Sequence, residues 1–429
     1  MRKWSAFLMT GLAFGLGWAI RGHFGHEHGA AWAGAMGALA VIVALRREDF
    51  ARRMPTLAAL GAIGWAVGGM MSYGLIVGIC RASDFINSWY GFAMLAVIGA
   101  GYGFIGGGLL GLGMETTEKK RPDWASLLAQ MVAGAWICWG LIIYQLEWKM
   151  TPPRSELWAA CLGISLALGW YLHRNGFKRA LAMGGYAALG AGFGFAFGNF
   201  LQIMGNLSGV SFNWWNVMEF SLGFFGGLGM IFAAYTRDWQ ESVHPSKTAN
   251  WLSILLLLVL IPLSNLVQAF HIKEFTTMGE NAGIADPLNY AYWQIWLGLL
   301  VVLIFALPGI LAWGRTQDKP AMLNKWIVPL SLTVYSAFYI FFGHIKKGVS
   351  YHSFSNQLEQ YFYWVILAAI TVIWVVAYRR QQVAEIITIQ SENWKRWIIW
   401  IGALIAITAL IALISISSHD GLPGANTRF

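Results

Sequence analysis

Two stretches of this sequence are too apolar and too long for a soluble core. WLSILLLLVLIPLSNLVQAF (251–270) runs without a single charged residue, and RWIIWIGALIAITALIALISI (396–416) carries only its leading arginine. At a rise of ~1.5 Å per residue, a helix of ~20 residues spans the ~30 Å hydrocarbon layer of a bilayer. Inside that layer every backbone polar group must pair within the protein, so such segments fold as helices or as strands of a closed barrel. The short alternating segments of a barrel are absent. The expected fold class is therefore an all-α polytopic membrane protein. Composition agrees: 57% of residues are hydrophobic and 11% charged, against roughly 25% charged in soluble domains.

Thirteen transmembrane segments are expected, at 4–24, 29–45, 57–79, 88–113, 125–145, 156–172, 181–204, 214–235, 250–270, 290–313, 326–343, 360–378 and 396–417. With the N-terminus inside and alternating thereafter, the inside loops hold 21 of the 29 Lys and Arg, while Asp and Glu divide evenly. That asymmetry predicts an N-in, C-out topology by the positive-inside rule. The formal charge of +9 then belongs to membrane-flanking loops, and a nucleic-acid partner is not expected. The bacterial inner membrane is the expected location. The opening MRKWSAFLMTGLAFGLGWAI also fits a signal peptide, but its only small-residue cleavage pattern is AWAGA (31–35), and the repeats below favour a retained helix. Cys80, Cys138 and Cys161 are too scattered for a disulfide framework or a metal motif.

Glycine divides the chain. Forty of the fifty glycines precede residue 241, which predicts a glycine-rich eight-helix core over 1–240, with close helix contacts, and a bulkier five-helix bundle over 241–429. Internal repeats accompany the division. GWAIRG (17–22) recurs as GWAVGG (64–69) and more loosely as GFAFGN (194–199), while GFIGG (103–107) recurs as GFFGG (223–227). In the later part, HIK recurs at 271–273 and 344–346, followed by YAYW (290–293) and YFYW (361–364). All copies share one sense across the membrane, which implies parallel helical hairpins rather than inverted repeats.

The chemistry concentrates in RGHFGHEHG (21–29), which packs Arg21, His23, His26, Glu27 and His28 between three glycines. The repeat places Arg21 below the end of its helix, where a charge faces a cavity or a partner. A broken or re-entrant segment lining a polar cavity is expected there. Three readings compete. One is an outer-surface turn with solvated histidines. Another is a metal site, for which His23, His26 and His28 are candidates, although their spacing differs from the helical HExxH pattern. The favoured reading is a polar-solute site in which Arg21 clamps a carboxylate or hydroxyl-rich group. His23, His26, Glu27 or His28 would then exchange a proton. Asn199, Gln202, Asn216 and Glu219 join Arg21 as candidate substrate contacts. Glu219 is placed inside a helix, where a lipid-facing carboxylate is unfavourable. Lys273, Lys346 and Lys347, with His271 and His344, form a positive outer rim, and Asn265 and Gln268 serve as contacts between helices.

Walker, kinase and nucleophile-elbow motifs are absent. The leading expectation is a transporter of a small polar or anionic solute such as a sugar, sugar acid or other carboxylate, coupled to protons and needing no cofactor. The alternative is a membrane-embedded transferase or hydrolase using the His/Glu/Arg cluster with or without a metal. Beyond the bilayer and the solute, a homo-oligomer or another membrane subunit is a candidate partner, and a non-catalytic assembly subunit is the third class.

Overall fold

The computed structural model describes residues 1–348, 358–381 and 394–429, which are helical with no strand among them. The N-terminal region comprises α1 (Lys3–Arg21), α2 (His26–Leu45), α3 (Glu48–Arg52), α4 (Met54–Gly69), α5 (Gly74–Ile79) and α6 (Phe85–Glu115). There follow α7 (Trp124–Trp139), which continues through a π-turn at Gly140–Gln145, then α8 (Leu157–Arg174), α9 (Lys178–Leu207) and α10 (Trp214–Tyr235). The C-terminal region holds α11 (Lys247–Leu255), a π-turn at Leu256–Leu260, α12 (Ile261–Ala269), α13 (Ile272–Asn281) and α14 (Pro287–Thr316). It ends with α15 (Pro320–Met322), a π-turn at Leu323–Ile327, α16 (Val328–Lys347), α17 (Leu358–Arg379) and α18 (Trp394–Ser417). Among the described residues, ten helices are long and apolar enough to cross a membrane. The chain is a polytopic α-helical membrane protein.

Six helices close a ring: α1 packs on α2, α2 on α4, α4 on α6, α6 on α9, α9 on α10, and α10 back on α1. Each neighbour runs antiparallel to the last, as the paired positions show: Gly17 abuts Ala33, Gly34 abuts Gly61, Gly64 abuts Gly106, and Gly103 abuts Ala187. Small residues make this closeness feasible. Along the α6–α9 seam, Gly99, Gly103, Gly107 and Gly111 recur every fourth residue against Ala191, Ala187, Met183 and Ala180. A Cβ at Gly103 would lie 2.2 Å from the Ala187 carbonyl oxygen.

Aromatic rings fill the interior of the ring. Phe14 meets Trp65 with centroids 4.5 Å apart, Trp18 meets Trp65 at 5.7 Å and stacks on Tyr102 at 5.4 Å, and Tyr102 stacks on Phe195 at 6.1 Å. All five are fully buried. Trp18, Trp65 and Phe195 occupy the same place in GWAIRG, GWAVGG and GFAFGN. The ring is therefore plugged rather than open. We call the end at Arg21 the mouth, and the end flanked by Arg46 to Arg53 the basic end.

Two expectations change in detail. The segment expected at 57–79 is two helices, because α4 stops at Gly69 and the chain turns through 70–73 before α5. Gly69 sits so close to α2 that a Cβ there would be 2.6 Å from Ala30, and the turn carries Tyr73 inward, 3% exposed. At 21–29, the expected broken or re-entrant segment is a tight corner. One 3-10 turn, Gly22–Phe24, and Gly25 at φ +84 join α1 directly to α2. Phe24 pins the corner to the outer helices by stacking on Tyr339 at 5.4 Å and Phe342 at 5.2 Å.

Candidate functional site

The aromatic plug ends at the mouth in a buried ion pair. Arg21 is the last residue of α1, and Glu219 lies one turn into α10, the helix that closes the ring against α1. Antiparallel packing therefore brings the two together across 198 positions of sequence. Arg21 Nε donates to Glu219 Oε2 at 3.1 Å and Nη2 donates to Oε1 at 3.1 Å. This is the two-pronged geometry a guanidinium offers a carboxylate. The residues are 1% and 0% exposed, so neither charge has water as an alternative partner.

Tyr73 completes the group. Its hydroxyl accepts from Arg21 Nη2 at 2.7 Å and donates to Glu219 Oε1 in a short hydrogen bond. Its ring stacks on Trp215, centroids 5.9 Å apart, and meets Phe195 edge-on at 4.9 Å. Beneath, the guanidinium carbon lies 4.7 Å from the Trp18 ring centroid, a cation–π contact strengthened by desolvation. One arm of the guanidinium is poorly served. Nη1 finds only His26 Nδ1 and the His26 carbonyl oxygen, both at 3.5 Å, the outer limit of a hydrogen bond. His26 and Glu27 are exposed, so this arm points to the thin lid between the pair and the mouth.

The other candidate residues go elsewhere. His23, 8% exposed, turns to the opposite side of the corner, where its Nε2 lies 3.1 Å from Gln360 Nε2. His344 Nε2 donates to the Gln360 carbonyl oxygen at 3.1 Å. His28 is half-buried, and its carbonyl oxygen accepts from Asn265 Nδ2 at 3.5 Å. Asn199 Nδ2 donates to Gln202 Oε1 at 2.9 Å, within α9. Asn216 Nδ2 donates to Tyr363 OH at 2.6 Å, an α10–α17 contact. None of these side chains bonds to the Arg21 guanidinium or the Glu219 carboxylate. On the positive outer rim, Lys346 pairs with Glu274. Among the described residues, no three of His, Cys, Asp and Glu gather as metal ligands.

Of the residues expected to act together, the structure thus joins Arg21, His26 and Glu219. It adds Tyr73, which an apolar context conceals. The available signal is the GGMMSYG stretch (68–74), whose glycines and serine mark a break that frees the tyrosine from the helix face. Chemically the group is a buried guanidinium held two-pronged by a carboxylate, with a tyrosine hydroxyl bridging the two. Compared with protein-family models, curated proteins and solved structures, the chain matches none of them.

Proposed function

We propose that this chain is a membrane transporter of a small acidic solute, a sugar acid or another carboxylate, taken up with a proton. The observation that carries the reading is the bidentate Arg21–Glu219 pair, buried under a lid of exposed His26 and Glu27. Glu219 and a solute carboxylate make the same demand on Arg21. A proton on Glu219 removes its charge and leaves a buried guanidinium, which is strongly unfavourable until another anion replaces it. One anion therefore enters with one proton, and the site's net charge is unchanged. His26, 3.5 Å from Nη1, is the residue through which proton and solute reach the pair. Tyr73 shuttles its hydroxyl between the two carboxylates. The aromatic plug beneath keeps the path closed on the far side.

In this reading thirteen segments cross the bacterial inner membrane with the N-terminus inside, and the mouth faces out. The hairpins α1–α2, α4–α6 and α9–α10 are three copies arranged about one axis along the membrane normal. A shift of one hairpin against the other two opens the plug.

The test is uptake into proteoliposomes, with an inward proton gradient, of radiolabelled gluconate, glucuronate, lactate and acetate. Wild-type protein is expected to accumulate at least one of them, and to lose uptake when the gradient is collapsed. Arg21→Lys keeps the charge but loses the fork, and should lower uptake about tenfold to a hundredfold. Uptake by Arg21→Lys at the wild-type rate removes the pair from the transport path, and no accumulation of any probe overturns the reading.

A further inference from the structure

At the basic end, three outer helices lose regular hydrogen bonding around a single cavity. The α11–α12 rod widens into its π-turn at Leu256–Leu260, α14 carries Pro308, and the α15–α16 rod passes through its π-turn at Leu323–Ile327. Prolines account for these irregularities: Pro262 and Pro329 follow the two π-turns and Pro308 lies within α14, each leaving the carbonyl four residues earlier without its helical donor. Between these irregular stretches and α2 and α4 lies a cavity of about 330 Å³, within the ~300–1,000 Å³ of small-molecule sites.

The lining is apolar, and its deep wall includes Leu39, Leu257 and Phe338, all buried. The margin is the opposite: Ile304, Leu330 and Val334 are 55%, 48% and 41% exposed. The cavity therefore opens sideways, between α14 and α16, onto the surface that hydrocarbon chains cover. Its hydroxyl groups are few. Tyr335 OH already donates to the Leu257 carbonyl oxygen at 3.4 Å. Trp313, 3% exposed, lines the basic end of the cavity, and its indole N–H is buried with no acceptor among the described residues.

Beyond Trp313 lies a seam of cations. α3 packs on α15 and on the Leu323–Ile327 turn, and Asn324 Nδ2 donates to the Arg46 carbonyl oxygen at 3.1 Å. Asn250 Nδ2 donates to the Arg52 carbonyl oxygen at 2.9 Å. Arg315, Lys319 and Lys325 are exposed there with no ion pair among the described residues; of the nearby carboxylates Asp318 faces Lys247 at 3.6 Å, Asp49 holds Arg47 at 2.6 Å, and Glu48 is exposed on α3. Arg52 Nε is buried and has no acceptor among the described residues. A cleft that opens to hydrocarbon and ends in cations lacking counter-charges complements one kind of molecule. That molecule has a long apolar chain and an anionic head.

We propose that this cavity binds an anionic phospholipid from the leaflet at the basic end. One acyl chain enters between α14 and α16, and the phosphate sits against Arg52, Arg315 and Lys325. Basic pockets between membrane helices hold anionic headgroups by the same attraction that draws polybasic segments to anionic leaflets. The site is independent of the Arg21–Glu219 pair, so its test reads lipid and leaves transport aside.

The full chain, purified in mild detergent and stripped of lipid, is titrated with dioleoyl phosphatidylglycerol, dioleoyl phosphatidylcholine, oleate and inorganic phosphate. Native mass spectrometry counts bound molecules and a melting curve reports stabilisation. Phosphatidylglycerol should bind once per chain and raise the melting temperature, with oleate weaker and phosphate alone without effect. Ser331→Trp or Val334→Trp, filling the cavity from its margin, should melt normally in detergent yet lose about tenfold in phosphatidylglycerol affinity. Should both tryptophan variants misfold, the exposed pair Arg315→Glu and Lys325→Glu decides the matter. Reversing them should erase the preference for phosphatidylglycerol over phosphatidylcholine, by about fivefold per charge. Equal binding of the two phospholipids to wild type, or full retention in folded Ser331→Trp, overturns the proposal, as does stabilisation by phosphate alone.

Discussion

Arg21 and Glu219 are each other's only buried counter-charge, so each is a liability without the other. Replacing a buried ion pair by apolar groups is often tolerated, whereas removing one partner costs about 3–5 kcal/mol because it strands a charge. Glu219→Leu should therefore lower stability by about that amount, and Arg21→Met similarly, while the double variant Arg21→Met/Glu219→Leu recovers most of the loss. Unfolding of the purified chain in detergent micelles measures all three. A double variant as unstable as the sum of the singles would mean that the two side chains act separately. From the sequence, Arg21 is recognisable as a charge within an apolar segment, although it is the last residue of its helix and not below the helix end as expected, and Glu219 as a carboxylate inside a helix. Their pairing is not recognisable, because nothing local connects residues so distant. Tyr73 escapes because a tyrosine in an apolar run looks like any interfacial aromatic.

At the scale of the helix, glycine acts by its lack of a side chain. α6 presents four glycines at a spacing of four to α9, and the two backbones touch along that line. Gly103→Ala must push the helices apart and should destabilise by about 1–3 kcal/mol. Gly140→Ala, where a Cβ would meet nothing within 4 Å, should be neutral or slightly stabilising. Melting temperatures of the two variants make the comparison, and equal effects would contradict the contact. The helices themselves are legible in hydropathy, since each expected segment falls on helix, although α1, α4 with α5, and α8 are not among the ten described helices long and apolar enough to cross a membrane. The exceptions are instructive. The interruption at 70–73 follows Gly68 and Gly69, and the π-turns at 256–260 and 323–327 each end two residues before a proline, Pro262 and Pro329, whose missing N–H leaves a carbonyl of the turn without its helical donor.

For the molecule as a whole, ring closure is the property that hydropathy does not carry. A profile is one-dimensional, and it says where helices lie without saying that the first meets the tenth. The similar stretches GWAIRG, GWAVGG and GFAFGN supply a hint, because their second residues, Trp18, Trp65 and Phe195, belong to one aromatic cluster. Orientation is a separate matter, and the charge asymmetry of the loops predicts it. In a chain with its three cysteines replaced, a cysteine at Gly283 should react with a membrane-impermeant maleimide in intact cells. One at Lys319 should react only after permeabilisation. The reverse pattern would invert the proposed topology and turn the mouth inward.

The ring also fixes an order of events during synthesis. Arg21 leaves the ribosome 198 residues ahead of Glu219, which at ~5–20 residues per second amounts to about 10–40 s. Throughout that interval the first hairpin sits in the bilayer with an uncompensated guanidinium and an open flank. The nascent chain must spend it beside something that tolerates the charge, such as the insertion machinery or the headgroup layer. The last ring helix to emerge therefore acts as the clasp, and a ribosome stalled before residue 219 leaves a ring lacking its sixth helix exposed to quality control.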